Sequence, residues 1–426
     1  MILLNKKKRT ILFSLAIISF LISGLFIIAY SNGYRFDFQK RKFVLTGAIQ
    51  LKVKPKEGLT FYLNSKKKEI KNNSLLGSNY FLDKLLPRKY QLLIKKEGFF
   101  SWQKNLFVEE KMTTFANSII LLPKEIKGKK IFSSKIEGKI LPLKNNYFLI
   151  FAEKNVYLQK VAVEKPIKIL TTKEKIEKEF LNEEKNLCLV KTKSDYYLLD
   201  LTDFFSRKKI NTFFLKAILN KNLKKKELKD VFLTKKDKEI VLVFKEGIYL
   251  FDWQKRKEKE IFSLAKDKEI KKVFFDKDNL FYQDKENNLF LFSLETRKNK
   301  LIIPKLKEEI SLVSLSFDRK KLLLASPKEV SLFYLKDFFG DFIRKKGEKD
   351  ILFQKEPEKI SWYKDSNHFW LIENNQLHFL ETDPRENINI FTYPEIKNFL
   401  YEKEKNLLYF QKDNSLFLFD LAKIGL

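Results

Sequence analysis

Acid–base and nucleophilic chemistry would have to pass through very few side chains in this sequence. Its 426 residues include two histidines, His368 and His378, and one cysteine, Cys188. A Ser–His–Asp relay would need one of those imidazoles, and neither histidine has metal-ligand spacing to a neighbour. His368 falls in Ser366-Asn367-His368, a tight-turn composition that predicts an exposed ring. His378 lies between Leu377 and Phe379 in a strand pattern that predicts a core or edge position. Cys188, between Leu187 and Leu189, reads as a small buried hydrophobe. Standing alone, it excludes an intramolecular disulfide and any Cys-built zinc or iron–sulfur site. No Gly-x-Ser-x-Gly elbow and no Gly-Lys-Ser/Thr phosphate loop occurs. Carboxylate pairs such as Glu183-Glu184 sit in turns among lysines, where solvation does not raise a pKa toward general-acid use. The sequence assigns no catalytic residue, no cofactor and no metal ligand.

Charge is the next place to look for a partner. There are 85 Lys+Arg against 54 Asp+Glu, a net charge of +31. Only 10 of the basic residues are Arg, leaving 75 Lys. Lys, Asn, Ile, Phe and Leu are abundant while Ala, Gly, His and Pro are scarce, the skew of an AT-rich genome. Nucleic-acid readers favour Arg for bidentate contacts, so lysine spread along the whole chain reads as a solvated surface rather than a nucleic-acid groove. With 44% apolar residues the chain is not of the disordered class.

The elements that would carry any site begin with an anchor. Residues 1–9 form a basic tail holding Lys6, Lys7, Lys8 and Arg9. Thr10 to Tyr30 follow with no charge in 21 positions, a helix of about 31 Å against a hydrocarbon core of about 30 Å. The cations before the run predict a cytoplasmic N-terminus and an extracytoplasmic remainder. A cleaved signal peptide is the rival. The run exceeds the usual apolar core of a signal, and Ala29-Tyr30-Ser31 is a poor cleavage site, so the anchor is read as retained. Residues 31–46 read as a linker, with Tyr30, Tyr34 and Phe36 in the interfacial aromatic belt and Arg35 near the headgroups.

From Gly47 to Pro123 the apolar pattern has period two, in GAIQLKVK, LTFYLN, YQLLIKKEGF, WQKNLFVEE and TFANSIILLP. Turns are marked by Pro55–Gly58, Asn72-Asn73, Pro87 and Gly98, which predicts a small β-sandwich over 47–123. The order Gly47-x-x-x-Leu51-x-Val53-x-Pro55, Glu57-Gly58, Phe61 to Asn64, Leu86-Pro87-x-x-Tyr90, Glu97-Gly98-Phe99, Trp102 and Leu121-Leu122-Pro123 resembles the PEGA domain. It departs from that family in one extra residue between Pro55 and Gly58, in Leu59 for Ala, and in Arg88 for Gly. The resemblance implies an extracytoplasmic structural or adhesive role and carries over no catalytic residue.

From Lys139 onward the chain repeats. Each unit has an apolar strand, a charged turn, a second apolar strand, another turn and a third strand. The bulky residue before each first turn gives Leu143, Leu181, Leu233, Phe275, Phe317, Trp362 and Leu400, spaced 38 to 52 residues apart. A third-strand marker keeps step at Tyr157, Tyr197, Tyr249, Phe290, Phe333, His378 and Phe417. Three visible strands and a weaker fourth per period predict a seven-bladed β-propeller over 124–426. At the level of pattern the stretch resembles the WD-repeat and TolB-like propellers, most clearly at Ser361-Trp362-Tyr363-Lys364-Asp365-Ser366. Asp200, Asp252 and Asp420 recur after third strands, where a carboxylate caps the next turn. Two insertions interrupt the repeat. One is Leu201 to Leu228, where Phe213, Phe214, Ala217, Ile218 and Leu219 fit a short amphipathic helix. The other is Asp337 to Asp350, placed between the fifth and sixth units.

The fold class is therefore all-β behind one transmembrane helix. The expected function is a non-enzymatic binding or scaffolding module of the cell envelope, with a protein or glycan partner. Two other classes are distinguishable. A propeller hydrolase or lyase requires a clustered carboxylate pair in the central funnel. A DNA or anionic-polymer binder requires a continuous basic stripe with exposed aromatics.

Overall fold

The computed structural model describes residues 6–70, 72–73, 79–161, 165–182, 184–204, 209–219, 221–234, 239–265, 268–276 and 279–426. Helix α1, Lys6–Ser31, contains the whole uncharged run and buries none of its residues against the rest of the chain. By length and composition the helix is long and apolar enough to cross a bilayer. The stretch expected to be a linker is ordered as a hairpin of strands β1, Tyr34–Asp37, and β2, Lys42–Leu45.

Two four-stranded sheets then enclose one core. Strands Gly47–Lys54, Asn79–Leu85 and Thr113–Ile120 belong to one sheet; Leu59–Leu63, Lys89–Lys96 and Trp102–Phe107 belong to the other. Alternation decides the inward side: Ile49, Leu51 and Val53 from the first sheet meet Phe61, Leu92 and Ile94 from the second. Asn72-Asn73, read as a turn, is a short edge strand against Asn79 and Tyr80.

Beyond residue 128, seven four-stranded antiparallel sheets follow among the described residues. Their first strands are Lys139–Pro142, Ile176–Leu181, Leu228–Leu233, Ile270–Asp276, Leu312–Leu315, Lys359–Trp362 and Asn398–Glu402. The middle strands read as unbroken apolar runs because both faces are covered. In the second sheet Cys188 and Val190 pack toward the first sheet, while Leu187 and Leu189 pack toward the third. In the third, Ile240 and Leu242 face the second sheet, and Val241 and Val243 face the fourth. Apolar clusters of this kind fill every junction between consecutive sheets. The circuit closes: Lys129–Ser133 pairs antiparallel with Ser415–Asp420 as the outer strand of the seventh sheet, and its Phe132 stacks on Phe148 of the first at 4.3 Å.

The registers correct part of the sequence reading. Leu181, Leu233, Phe275 and Trp362 each pair with the second residue of the following strand, but in the other sheets that place belongs to Pro142, Leu315 and Tyr401. Leu143 and Leu400 are thus one residue out and Phe317 two out, because bulk selected a neighbour of the paired position. Of the third-strand markers, Tyr157, Tyr197, Tyr249, Phe290, His378 and Phe417 share one register, whereas Ser331 occupies it in place of Phe333. The amphipathic helix expected at 201–228 is mostly something else. Phe213 and Phe214 lie in strand Asn211–Phe214, the fourth of the second sheet, and after it Leu215–Ile218 and Lys221–Lys224 are helical. The second insertion lies inside the fifth sheet, between its third strand Val330–Tyr334 and its fourth Lys349–Phe353, as a hairpin at Phe338–Phe339 and Ile343–Arg344.

The small unit and the ring are joined by a buried seam. Ile120 and Leu122 enter the cluster between the sixth and seventh sheets, Phe100 stacks on Phe391 at 5.1 Å, and the Tyr393 hydroxyl donates to Pro123 O at 2.7 Å. Beside this apolar contact lies Lys104, with no exposed side-chain surface. Its Nζ stands 2.6 Å from Glu381 Oε1 and donates to Asp383 O at 2.8 Å. Trp102 Nε1 donates to the other Glu381 oxygen at 2.8 Å, and the Asp341 carboxylate of the inserted hairpin accepts from Asn117 N and Ser118 N.

Candidate functional site

Strand direction sorts the ring into two faces. In the sixth sheet the first strand runs from Lys359 to Trp362, the second returns from His368 to Glu373, and the third runs out again from Gln376 to Glu381. Lys359 and Ile372 therefore lie at one face, while Asn367, Glu381 and Asp383, which hold the small unit, lie at the other. The face carrying Lys359 opens into a cavity of about 330 Å³ where the first strands of the first, sixth and seventh sheets begin.

Two lysines and one carboxylate govern the charge there. Lys139 forms an ion pair with Glu179, whose side chain is buried. Lys359 donates from Nζ to Phe399 O at 2.6 Å, 5.1 Å from the Phe399 ring, and no carboxylate among the described residues pairs with it. Burial, assisted by the Lys139 charge and opposed by Glu179, pushes Lys359 down to about 7. Gln411 sets the frame: its Oε1 accepts from Ile140 N at 3.0 Å and its Nε2 donates to Gly138 O at 2.7 Å, which ties the seventh sheet to the first. Gly138 has no substitute, because a Cβ there would lie 2.4 Å from Phe151 O. At the rim Glu137 pairs with Lys397 at 3.6 Å and Glu358 accepts from Asn374 N at 3.1 Å.

This predicts a pH effect of definite sign. A lysine depressed from about 10.4 to near 7 leaves the unfolded chain holding more protons between those values, so its contribution to stability rises with pH across that window. Below it the penalty is fully present. Lys359→Met should therefore stabilise the protein by about 1–3 kcal/mol near pH ~6 and by much less near pH ~10, read by urea unfolding. Equal effects at both pH values would refute the assignment.

The residues singled out for chemistry are placed elsewhere. His368 is buried, contrary to expectation: it opens a strand, its Nδ1 lies 2.7 Å from Asp365 Oδ2, and its ring stacks on Phe379 at 5.0 Å. The Asp365 carboxylate, which closes the preceding turn, draws the imidazole inward. His378 is buried with Nδ1 at 2.9 Å from Thr392 Oγ1, and burial lowers its pKa against the pull of Glu373. Cys188 is fully buried and its pKa is raised by burial. Glu184 pairs with Lys144, while Glu183 lies outside the described residues. Asp200, Asp252 and Asp420 each accept from backbone N–H groups two or three residues on, as turn caps. Among the described residues no group of three or more His, Cys, Asp or Glu side chains is arranged to hold a metal.

The residues that matter at the mouth and the seam, Lys359 and Lys104, were not singled out by the sequence. For Lys104 a signal existed, since Trp102, Lys104 and Leu106 share the inward parity of one strand.

No family model and no curated protein matches this chain. Among solved structures it is similar to the β-propeller domain of Myceliophteria thermophila Cps50 (Swd1), at 12% identity and a TM-score of 0.46, covering 70% of this chain and 99% of that one. It is also similar to PorZ, described as an essential bacterial surface component of the type-IX secretion system of Porphyromonas gingivalis. That match has 12% identity and a TM-score of 0.43, and covers 67% of this chain and 37% of PorZ.

Proposed function

We propose that the chain is a single-pass membrane protein that presents a seven-bladed β-propeller outside the membrane as a non-enzymatic binding or scaffolding module. In this reading Thr10 to Tyr30 span the bilayer with Lys6 to Arg9 on the cytoplasmic side, and residues 47–123 form a PEGA-like sandwich. The channel mouth of residues 124–426 receives an envelope protein or glycan. One observation carries the reading. The charged grip of the small unit on the ring, through Glu381, Asp383 and Asn367, lies at the face opposite Lys359, and the residues that line the mouth all belong to the ring side of the chain.

Charge at the mouth supports binding over hydrolysis. Glu179 and Glu137 are spent on lysines and Glu358 on a backbone amide, so a free carboxylate pair of the kind glycoside cleavage uses is missing from this set of side chains. The same face weakens the nucleic-acid alternative. Lys216 pairs with Asp195, Lys245 with Glu269 and Lys355 with Glu373, and such pairs break a basic stripe into alternating charge.

Full-length protein in detergent, used as bait in envelope extracts, tests the reading against the Lys139→Glu/Lys359→Glu variant. The expected result is at least about tenfold lower recovery of the partner by the variant, equivalent to about 1.4 kcal/mol. Equal recovery by both would move the site away from the mouth.

A further inference from the structure

The junction between α1 and the small unit is shaped for a lipid surface. Helix α1 does not end in a free stalk. The Arg35 guanidinium lies 3.3 Å over the Tyr30 ring and donates to Tyr30 O and Tyr34 O at 2.7 Å, which closes the last turn and fixes where β1 begins. Phe43 of β2 then reaches back to Phe26 of the helix, with ring centroids 6.3 Å apart. Phe26 lies one turn before Tyr30, about 6 Å nearer the bilayer centre, so this contact holds the hairpin down at the depth where the helix leaves the hydrocarbon.

At that depth the hairpin shows aromatic rings. Phe38 is 84% exposed, Phe43 55% and Phe36 39%, and Phe36 bridges the other two with ring distances of 5.1 and 5.2 Å. Between hairpin and helix runs an apolar groove of about 690 Å³, lined by Phe26, Tyr30, Phe36, Phe38, Phe43 and Leu86. Lys40, Arg41 and Lys42 are exposed at its turn and Lys84 stands at the rim of the groove. The hairpin is also fastened above. Asp37 is buried and accepts from Gln39 N at 2.9 Å, Lys40 Nζ donates to Pro87 O, and Arg88 donates to Gln39 Oε1. A membrane-facing turn with rings below and cations around it matches phospholipid, with acyl chains against the phenylalanines and phosphates on the lysines.

We propose that the β1–β2 hairpin is an interfacial foot. It lies in the headgroup layer of the membrane that α1 crosses, inserts Phe36, Phe38 and Phe43 to the acyl boundary, and places Lys40, Arg41 and Lys42 on anionic lipid phosphates. The inference rests on the reading of α1 as a membrane span and extends it. The bilayer contacts the protein along a surface as well as through the helix, which fixes the stance of everything above it.

The four native tryptophans, Trp102, Trp253, Trp362 and Trp370, are all buried in the small unit or the ring. A tryptophan placed in the membrane region is therefore the one open to quenching from lipid. Phe38→Trp and Phe26→Trp, each in the full chain, are reconstituted in phosphatidylcholine/phosphatidylglycerol vesicles carrying brominated acyl chains. Both should be quenched, Phe38→Trp most by bromines near the headgroup and Phe26→Trp most by deeper ones. Quenching of Phe26→Trp without Phe38→Trp would overturn the foot and leave the span intact. Quenching of neither would overturn both. Phe38 is largely exposed, so its replacement does not disturb a core.

Discussion

Lys104→Ala should cost about 3–5 kcal/mol, because it strands buried carboxylates rather than merely removing a contact. Lys104 Nζ is the cation at 2.6 Å from Glu381 Oε1 and 3.4 Å from Asp383 Oδ2, in a place where the lysine has no exposed surface. Burial pushes the Asp383 carboxyl up, but its hydrogen bonds to Arg385 and the charges of Lys104 and Arg385 hold it below the ordinary range. Without Lys104, Asp383 keeps Arg385, while among the described residues Glu381 keeps only Trp102 and Asn389 as donors. The loss falls on the seam, so the variant should unfold in two steps and be cleaved by protease between residues 123 and 128. Lys104→Met combined with Glu381→Leu removes both charges and should recover most of the stability. A single cooperative transition in Lys104→Ala, less than about 1 kcal/mol below the parent, would mean that the pair contributes no more than an exposed one.

Phe132→Ala should be as damaging, at about 3–5 kcal/mol. Phe132 is 5% exposed, lies on the outer strand of the seventh sheet, and stacks on Phe148 of the first. It belongs to the cluster that closes the ring, with Ile140, Ile150 and Leu416. A cavity opened there weakens the closure, because Lys129–Ser133 runs on into the first sheet and is held in the seventh by strand pairing and this cluster, with no direct chain link to Ser415–Asp420. The check is urea unfolding together with amide exchange of Lys129–Ser133 and Ser415–Asp420. Both strands should lose protection well before the others. Protection lost evenly around the ring would show that closure is not the weak point.

The repeating part of the fold was legible because burial on both faces leaves a dense apolar signal. Six of the seven third-strand markers, Tyr157 to Phe417 without Phe333, share one register. Bulk alone misled at the fifth sheet. Phe317 lies inside the turn after Leu312–Leu315, where its ring takes Lys403 Nζ at 4.2 Å, and the strand position it was assigned belongs to Leu315. Phe213 and Phe214 fitted a helical spacing equally well, and only pairing with Leu198 and Tyr197 makes them a strand. The candidate site was hardly legible at all. Reading lysine as solvated surface is correct for most of them, but it hides Lys104, Lys321 and Lys359. Lys321 shows how such a residue is accommodated: it is fully buried and donates to Asn367 Oδ1 at 2.8 Å, with Phe338 and Trp362 under its ammonium. Those partners come from distant parts of the chain, which local pattern does not report.

The closing strand is made long before the strand it pairs with. Lys129–Ser133 pairs with residues 282 to 289 positions later. At roughly 5–20 residues per second it waits about 15–60 s for its partner to be synthesised. During that interval the first sheet has been completed and the strand beside it has an open edge. The segment is KKIFS, and its two leading lysines, Lys129 and Lys130, are exposed in the finished structure. Charge on a waiting edge discourages pairing with other chains, so these lysines guard the chain during its synthesis, before the ring they complete exists.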